Sequence, residues 1–454
     1  MTGQKGCGQS CVNSGFGHCG SWLQWFYAGL TVESTISYRS ERPAISTIAP
    51  REQVNVPFEV SAFSDLLRKK NLRCVLLLGD ERFIVGSRGR DVDPCDDPVI
   101  KFTSRSDFTE FSKSFRLIHF GRLFVGGRID GNVFDERVVE IAMALEDVGM
   151  SFREKVAAKI VPYVKGFLSL LGWAGPSPYN LDPRLYERFL DPYMQYTCGC
   201  YQNENDDLET AQRNKLRIIS KQLHLTAGMR HLDIGCGWGG AIRYFTEEHG
   251  TYSVGITDSL GQAKYARNML ARYKGGTKEI HHVDFFGFHT QQRFDAITIV
   301  GMLEHVDVAW QKKFFRRIHD ILAEGGRVYL QCITKSKNWM GGDGTRFLNE
   351  HVFPGHCLDT FEGICDRARA GGFAVEPLYP DAECREAGSP DFAKHYAQTI
   401  KHWLNNLEPA EHDLKREVAV SDQDFRRLTG YLAVAAKLFG GGRGSLHRMI
   451  LTKQ

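Results

Sequence analysis

The chain has 454 residues, of which 42% are hydrophobic and 24% charged, an ordinary balance for a globular protein long enough for two domains. A formal net charge of +3 leaves no bulk electrostatic case for nucleic acid, although local basic patches still suit anionic lipid. No apolar run reaches the roughly 18 residues of a spanning helix, and the first residues lack the continuous apolar stretch of a signal peptide.

Residues 1–55 are rich in Gly, Ser and Cys and read as a disordered extension. They carry one aromatic cluster, Trp22 to Tyr27, which suits an interfacial anchor or a docked segment equally well. Cys7, Cys11, His18 and Cys19 match no strong zinc template, so no metal is expected. The twelve cysteines form no regular disulfide framework and fit reduced thiols in a cytoplasmic setting.

Residues 56–150 alternate apolar and polar positions between Gly and Asp turns and read as a small α+β domain. Strand-like stretches are Cys74 to Leu78, Phe83 to Gly86, Val99 to Phe102 and Leu117 to Gly121, and Val138 to Leu145 is helical. Residues 151–177 form an amphipathic pattern flanked by Lys155, Lys159 and Lys165, read as a linking helix.

From residue 178 to 454, strands and helices alternate. His231 to Ile234, Tyr252 to Thr257, Ile280 to Val283, Phe294 to Val300 and Gly326 to Ile333 are strands. Helices begin near Ala241 and span Leu260 to Tyr273 and Trp310 to Leu322. This pitch predicts an α/β, doubly wound, mainly parallel Rossmann-like sheet beside the smaller α+β amino-terminal domain. Ligands of such sheets bind beyond the carboxyl ends of the strands. Gly235 to Gly239, Thr257-Asp258, Asp284-Phe285, Gly301 to His305 and Gln331 to Thr334 therefore converge on one cleft.

The turn after the first of these strands reads Asp233-Ile234-Gly235-Cys236-Gly237-Trp238-Gly239-Gly240. Its Gly-x-Gly-x-Gly spacing differs from the dinucleotide pattern. With an acidic residue two positions ahead, it suits the carboxylate and amine of S-adenosylmethionine better than a pyrophosphate.

A longer series of segments carries a resemblance. Met194-Gln195-Tyr196-Thr197-Cys198 precedes Leu208 to Gln212 and Lys215-Leu216. Then come the glycine turn, Gly255-Ile256-Thr257, Val300 to Val306, Phe353-Pro354-Gly355, and His395-Tyr396 with Thr399 and Trp403. In this order the chain resembles the cyclopropane-fatty-acyl-phospholipid synthase family of S-adenosylmethionine-dependent methyltransferases. The likeness covers residues 178–454 and extends to 56–150, where the family has its small amino-terminal domain.

The resemblance implies transfer of a methylene unit to the cis double bond of an unsaturated acyl chain in a membrane phospholipid. The alkene attacks the sulfonium methyl, a carbocation forms, and a base then takes a proton from the added methyl so that a cyclopropane ring closes. The resemblance implies bound bicarbonate as that base, held by Cys198, Glu304, Ile333 and Tyr396. Gln331 stands where better-known members have histidine. Glutamine positions an anion but carries no proton at neutral pH, and relatives with glutamine there include enzymes making methyl-branched products. For S-adenosylmethionine, the resemblance assigns Tyr179, Asp233, Gly235, Gly237, Gly239, Thr257, Gln262, Asp284 and Phe285. It further implies a cytoplasmic enzyme peripherally associated with the inner membrane, with a homodimer by analogy alone.

The residues taken singly have plainer readings. Glu304 suits a strand-end helix cap, Cys198 a small buried hydrophobe, and Tyr396 a core partner of Trp403. Lys312, Lys313, Arg316 and Arg317 suit a solvated helix face. Methyl transfer to a soluble nucleophile, and a non-catalytic lipid- or cofactor-binding protein, are the competing functions.

Overall fold

A computed structural model describes residues 56–87, 96–145, 181–203, 205–335, 342–352, 358–380 and 390–454. The extension 1–55, the linking helix, Tyr179 and Phe353-Pro354-Gly355 lie outside the described residues.

Two sheets organise the chain. The first has the order β2-β1-β3-β4, from β1 (Arg73–Leu78), β2 (Glu81–Gly86), β3 (Val99–Phe102) and β4 (Ile129–Gly131). A phenylalanine cluster seals it against its helices, with Phe63, Phe102, Phe108 and Phe111 at most 2% exposed. Leu117–Val125 is a helix and not a strand. Leu117, Ile118, Phe120, Gly121, Leu123, Phe124 and Val125 are all buried. A segment buried on nearly every side has no polar face to reveal its period, so a short apolar run reads alike as strand or helix. The helix Phe58–Lys69 also escaped the alternation pattern.

The second sheet has the order β10-β11-β9-β8-β5-β6-β7. Its parallel members are β5 (Arg230–Ile234), β6 (Tyr252–Thr257), β7 (Thr277–His282), β8 (Phe294–Val300) and β9 (Leu322–Lys335). The apolar runs of β5, β6, β8 and β9 follow from burial on both faces, whereas β7 at the sheet edge is largely exposed. The strand order reverses between β5 and β8, which opens a crevice at their carboxyl ends. β10 (Phe373–Leu378) and β11 (Gly444–Lys453) join antiparallel. β9 starts four residues before Gly326, and β7 starts three before Ile280.

The long helices Ala393–Glu417 and Asp422–Gly440 pack on the β9–β11 side around Trp403, Leu432 and Leu407, each wholly buried. The first sheet's helices lean on them. Phe124 lies where a Cβ on Gly430 would be 3.2 Å away, and Arg116 pairs with Asp343 at the start of the helix Asp343–His351.

Candidate active site

The glycine turn leaves β5 at Asp233. Gly235, Gly237 and Gly239 all have positive φ, of 82°, 53° and 84°. The N–H groups of Gly235 and Cys236 both donate to the Ile256 carbonyl, pinning the turn to β6. A Cβ at Gly240 would overlap the Tyr193 carbonyl oxygen, so only glycine lets the helix Gly240–His249 start there. A Cβ on Gly237 would meet nothing within 4 Å, so the turn stands open at this position.

Asp233 is 4% exposed, and burial lifts its pKa to about 6 against a hydrogen bond from Thr298 and the charge of Lys215. Thr298 Oγ1 donates to Asp233 Oδ1 at 2.6 Å. With its proton committed there, Thr298 accepts from His231 Nε2 at 3.0 Å, which assigns the Nε2–H tautomer and leaves Nδ1 to accept from Ser253. Burial drives the His231 pKa down to about 3, so the imidazole is neutral scaffolding. Thr257 Oγ1 donates to Gln262 Oε1 at 2.9 Å, both side chains buried beside the turn. Asp284 is exposed and caps its own turn, accepting from the Phe286 and Gly287 N–H groups. Phe285 is buried against Phe314, with ring centroids 4.7 Å apart.

Beside this turn lies a cavity of about 40 Å³, room for a few waters or one small polyatomic anion. Cys198, Glu304, Gln331, Ile333 and Tyr396 all line it, brought there from four separate parts of the chain. Glu304 sits in a 3-10 turn, Leu303–His305, just beyond β8. Its Oε1 accepts from the Ile333 N–H at 2.6 Å, so Ile333 contributes its backbone. Its Oε2 is buried without a hydrogen-bond partner among the described residues, and burial raises its pKa to about 7. The Gln331 side chain is 1% exposed, and its Oε1 likewise lacks a partner. Burial pushes the Cys198 thiol up to about 11, so it is a protonated wall and no thiolate nucleophile.

Among the lining groups, Tyr431 was not singled out by sequence. Tyr431 comes from the helix Asp422–Gly440 and lines the cavity with Tyr396 and Tyr196. Behind the wall, fully buried Lys215 donates to Thr197 Oγ1 at 2.7 Å, and burial lowers its pKa to about 7 despite Asp191. An aromatic wall joins cavity to turn: Trp238 lies 4.4 Å from Tyr186 and 6.4 Å from Tyr196 by ring centroids. Tyr396 also packs on Trp403 at 6.1 Å, so its core and site positions coexist. A larger open depression of about 500 Å³, lined by His289, Arg293, Arg317 and Asp320, opens at the amino-terminal edge of β8, away from these groups.

Residues 174–449 match the model of a family described as mycolic acid cyclopropane synthetase. The first sheet precedes that match. The chain is 32% identical over 290 residues to the S-adenosylmethionine-dependent methyltransferase UmaA of Mycobacterium tuberculosis, covering 61% of this chain and 96% of that protein. It is 32% identical over 265 residues to the cyclopropane-fatty-acyl-phospholipid synthase of Escherichia coli, covering 58% of this chain and 64% of that one. Among solved structures, the cyclopropane synthase MmaA2 of Mycobacterium tuberculosis superposes with a TM-score of 0.55 at 26% identity, over 61% of this chain and 95% of that one.

Proposed function

We propose an activity on the premise that this chain belongs to the mycolic acid cyclopropane synthetase family. It is an S-adenosylmethionine-dependent methyltransferase. The reading we favour is methylene transfer to the cis double bond of an unsaturated acyl chain in a membrane phospholipid, giving a cyclopropane chain. Among the described residues no helix is long and apolar enough to cross a membrane, and we propose peripheral contact with the bilayer.

The open face of the turn at Gly237 fits the methionine end of S-adenosylmethionine, with Asp233, Gly235 and Gly239 around it and Thr257 and Gln262 alongside. When bound, it supplies an electrophilic methyl group. The orphaned atoms of the cavity, Glu304 Oε2 and Gln331 Oε1, are both acceptors. A ligand there needs a donor, and the O–H of bicarbonate is one; when bound, it would supply a base. Glu304, Gln331 and Tyr396 would hold it, with Cys198 and Ile333, whose N–H is committed to Glu304, forming the walls.

The remaining work falls to this chain's own side chains. Glu304 with a pKa near 7 gains or loses a proton cheaply at neutral pH. Gln331 orients without transferring a proton. Tyr186, Tyr196 and Trp238 offer π density where positive charge develops on the substrate. Tyr396, Tyr431 and Leu446 supply the apolar and aromatic part of the cavity lining. The observation that carries this reading is the meeting of Cys198, Glu304, Gln331, Ile333 and Tyr396 around one small cavity beside the turn.

Gln331 favours a second product. With no relay at that position, the substrate cation can instead lose a proton from a neighbouring chain carbon, which gives a methyl-branched alkene, or undergo a 1,2-hydride shift and then lose a proton from the added methyl, which gives a methylene chain. The test is S-adenosylhomocysteine release in the presence of unsaturated vesicles, saturated vesicles, or none. Release only with unsaturated lipid supports the reading, and equal release in all three refutes it.

A further inference from the structure

The register of β11 on β9 sets Arg448 directly opposite Gln331, so the two side chains share one face of the sheet. Arg448 is 1% exposed. A guanidinium does not deprotonate in a protein, so a full positive charge is buried here. Its Nη2 donates to the Gly199 carbonyl at 2.8 Å and the Cys198 carbonyl at 3.3 Å, and stands 3.6 Å from the Cys198 sulfur. Its Nε and Nη1 have no hydrogen-bond partner, and no carboxylate pairs with it among the described residues. The Phe392 ring, 4.1 Å from the guanidinium carbon, covers it.

Uncompensated buried charge is costly, and native proteins seldom keep it without a use. Two structural facts indicate that use. The carbonyls that Arg448 grips belong to the Cys198 wall of the cavity, and Gln331, its cross-strand neighbour, is another wall. Lys215 supports the same wall through Thr197, but it has Asp191 and Asp233 nearby as countercharge. Arg448 lacks one, and an anion in the adjacent cavity would provide it.

We propose that Arg448 is a positioning residue for the anion site: it holds the Cys198–Gly199 wall and supplies the positive potential that draws an anion in beside Gln331. This rests on the reading that the cavity holds bicarbonate. In a chain whose Gln331 carries no proton, the buried guanidinium gives the site its preference for a charged base.

The test uses the full chain with dioleoylphosphatidylglycerol vesicles in buffer stripped of carbon dioxide, with bicarbonate added back. The rate, the half-saturating bicarbonate concentration and the Kd for S-adenosylmethionine are measured for wild type, Arg448→Gln and Arg448→Lys. Arg448→Gln is expected to raise half-saturating bicarbonate on the order of tenfold while the cofactor Kd stays within about twofold, the signature of a lost charge-assisted interaction. Arg448→Lys is expected to recover most of the deficit, leaving a rise of about threefold because an ammonium lacks the planar fork. If Arg448→Gln does not fold, that rise in the Lys variant carries the test. A bicarbonate-dependent wild type with unchanged half-saturation in the variants overturns the role of Arg448 alone. A lower kcat at unchanged half-saturation also overturns it, by showing a merely structural part. A wild type indifferent to bicarbonate overturns the anion reading, and this role with it.

Discussion

Glu304→Gln separates function from stability. Glu304 is 4% exposed, and burial raises its pKa from 4.5 to about 7. Between those values the folded chain keeps a proton that the unfolded chain has shed, so stability falls as pH rises through the window and is flat above it. The whole displacement corresponds to about 3 kcal/mol lost by pH 8. Glutamine does not ionise and escapes that loss. Its Oε1 still accepts from Ile333, but its amide nitrogen takes over the partnerless place of Oε2 and costs about 1–2 kcal/mol. The variant is therefore expected to be more stable than wild type by about 1–2 kcal/mol at pH 8, and no more stable at pH 4.5. Its turnover should drop at least about 100-fold, with S-adenosylmethionine affinity within about twofold. Urea unfolding at the two pH values and S-adenosylhomocysteine release measure these quantities. A stability difference that does not change with pH refutes the burial argument, and full activity refutes the assignment of Glu304.

Other consequences are open to the same assays. Thr298→Val removes the hydroxyl between His231 and Asp233, stranding a buried donor and a buried acceptor, and should cost about 2–4 kcal/mol by urea unfolding. His231, held near 3 by burial, stays neutral while the unfolded imidazole protonates below its ordinary 6.5. Stability should therefore fall as pH drops from 6.5 toward 3, and His231→Asn should flatten that acid limb in a pH series of melting curves. Gly240→Ala drives a methyl into the Tyr193 carbonyl and should abolish cofactor binding in equilibrium dialysis or unfold the chain outright. Arg116→Met strands buried Asp343 and should cost about 3–5 kcal/mol in chemical unfolding.

The inner parallel strands were readable because burial on both faces writes them as apolar runs, and the turn at Gly235 to Gly239 because its conformations need glycine. From alternation alone it followed that the strand ends share a cleft. Cys198 and Tyr396 lie off those ends, and resemblance to a family placed them. Leu117–Val125 misled because its surroundings are apolar on nearly every side. Tyr431 and Arg448 left no local signal at all. Tyr431 reaches the cavity because two long helices pack antiparallel, and Arg448 because the last strand inserts beside β9 in one register. Such juxtapositions depend on contacts more than a hundred residues apart, which no spacing rule encodes. Lys215 lies on the buried face of the amphipathic helix Leu208–Gln222 with Leu208, Ala211 and Ile219, and its neighbours Thr197 and Asp191 satisfy it there.

Carbon transfer to a lipid double bond is the proposed reaction of this chain. Incubation of the full chain with S-adenosylmethionine and cis-unsaturated phospholipid vesicles, followed by mass spectrometry and proton magnetic resonance of the recovered lipid, tests it most directly. The expected result is a gain of one CH₂ unit per modified chain, loss of olefinic protons and new upfield ring-methylene signals. Unchanged lipid mass would contradict lipid methylene transfer, and a mass gain with a methyl-branch signal and no ring protons would contradict ring closure.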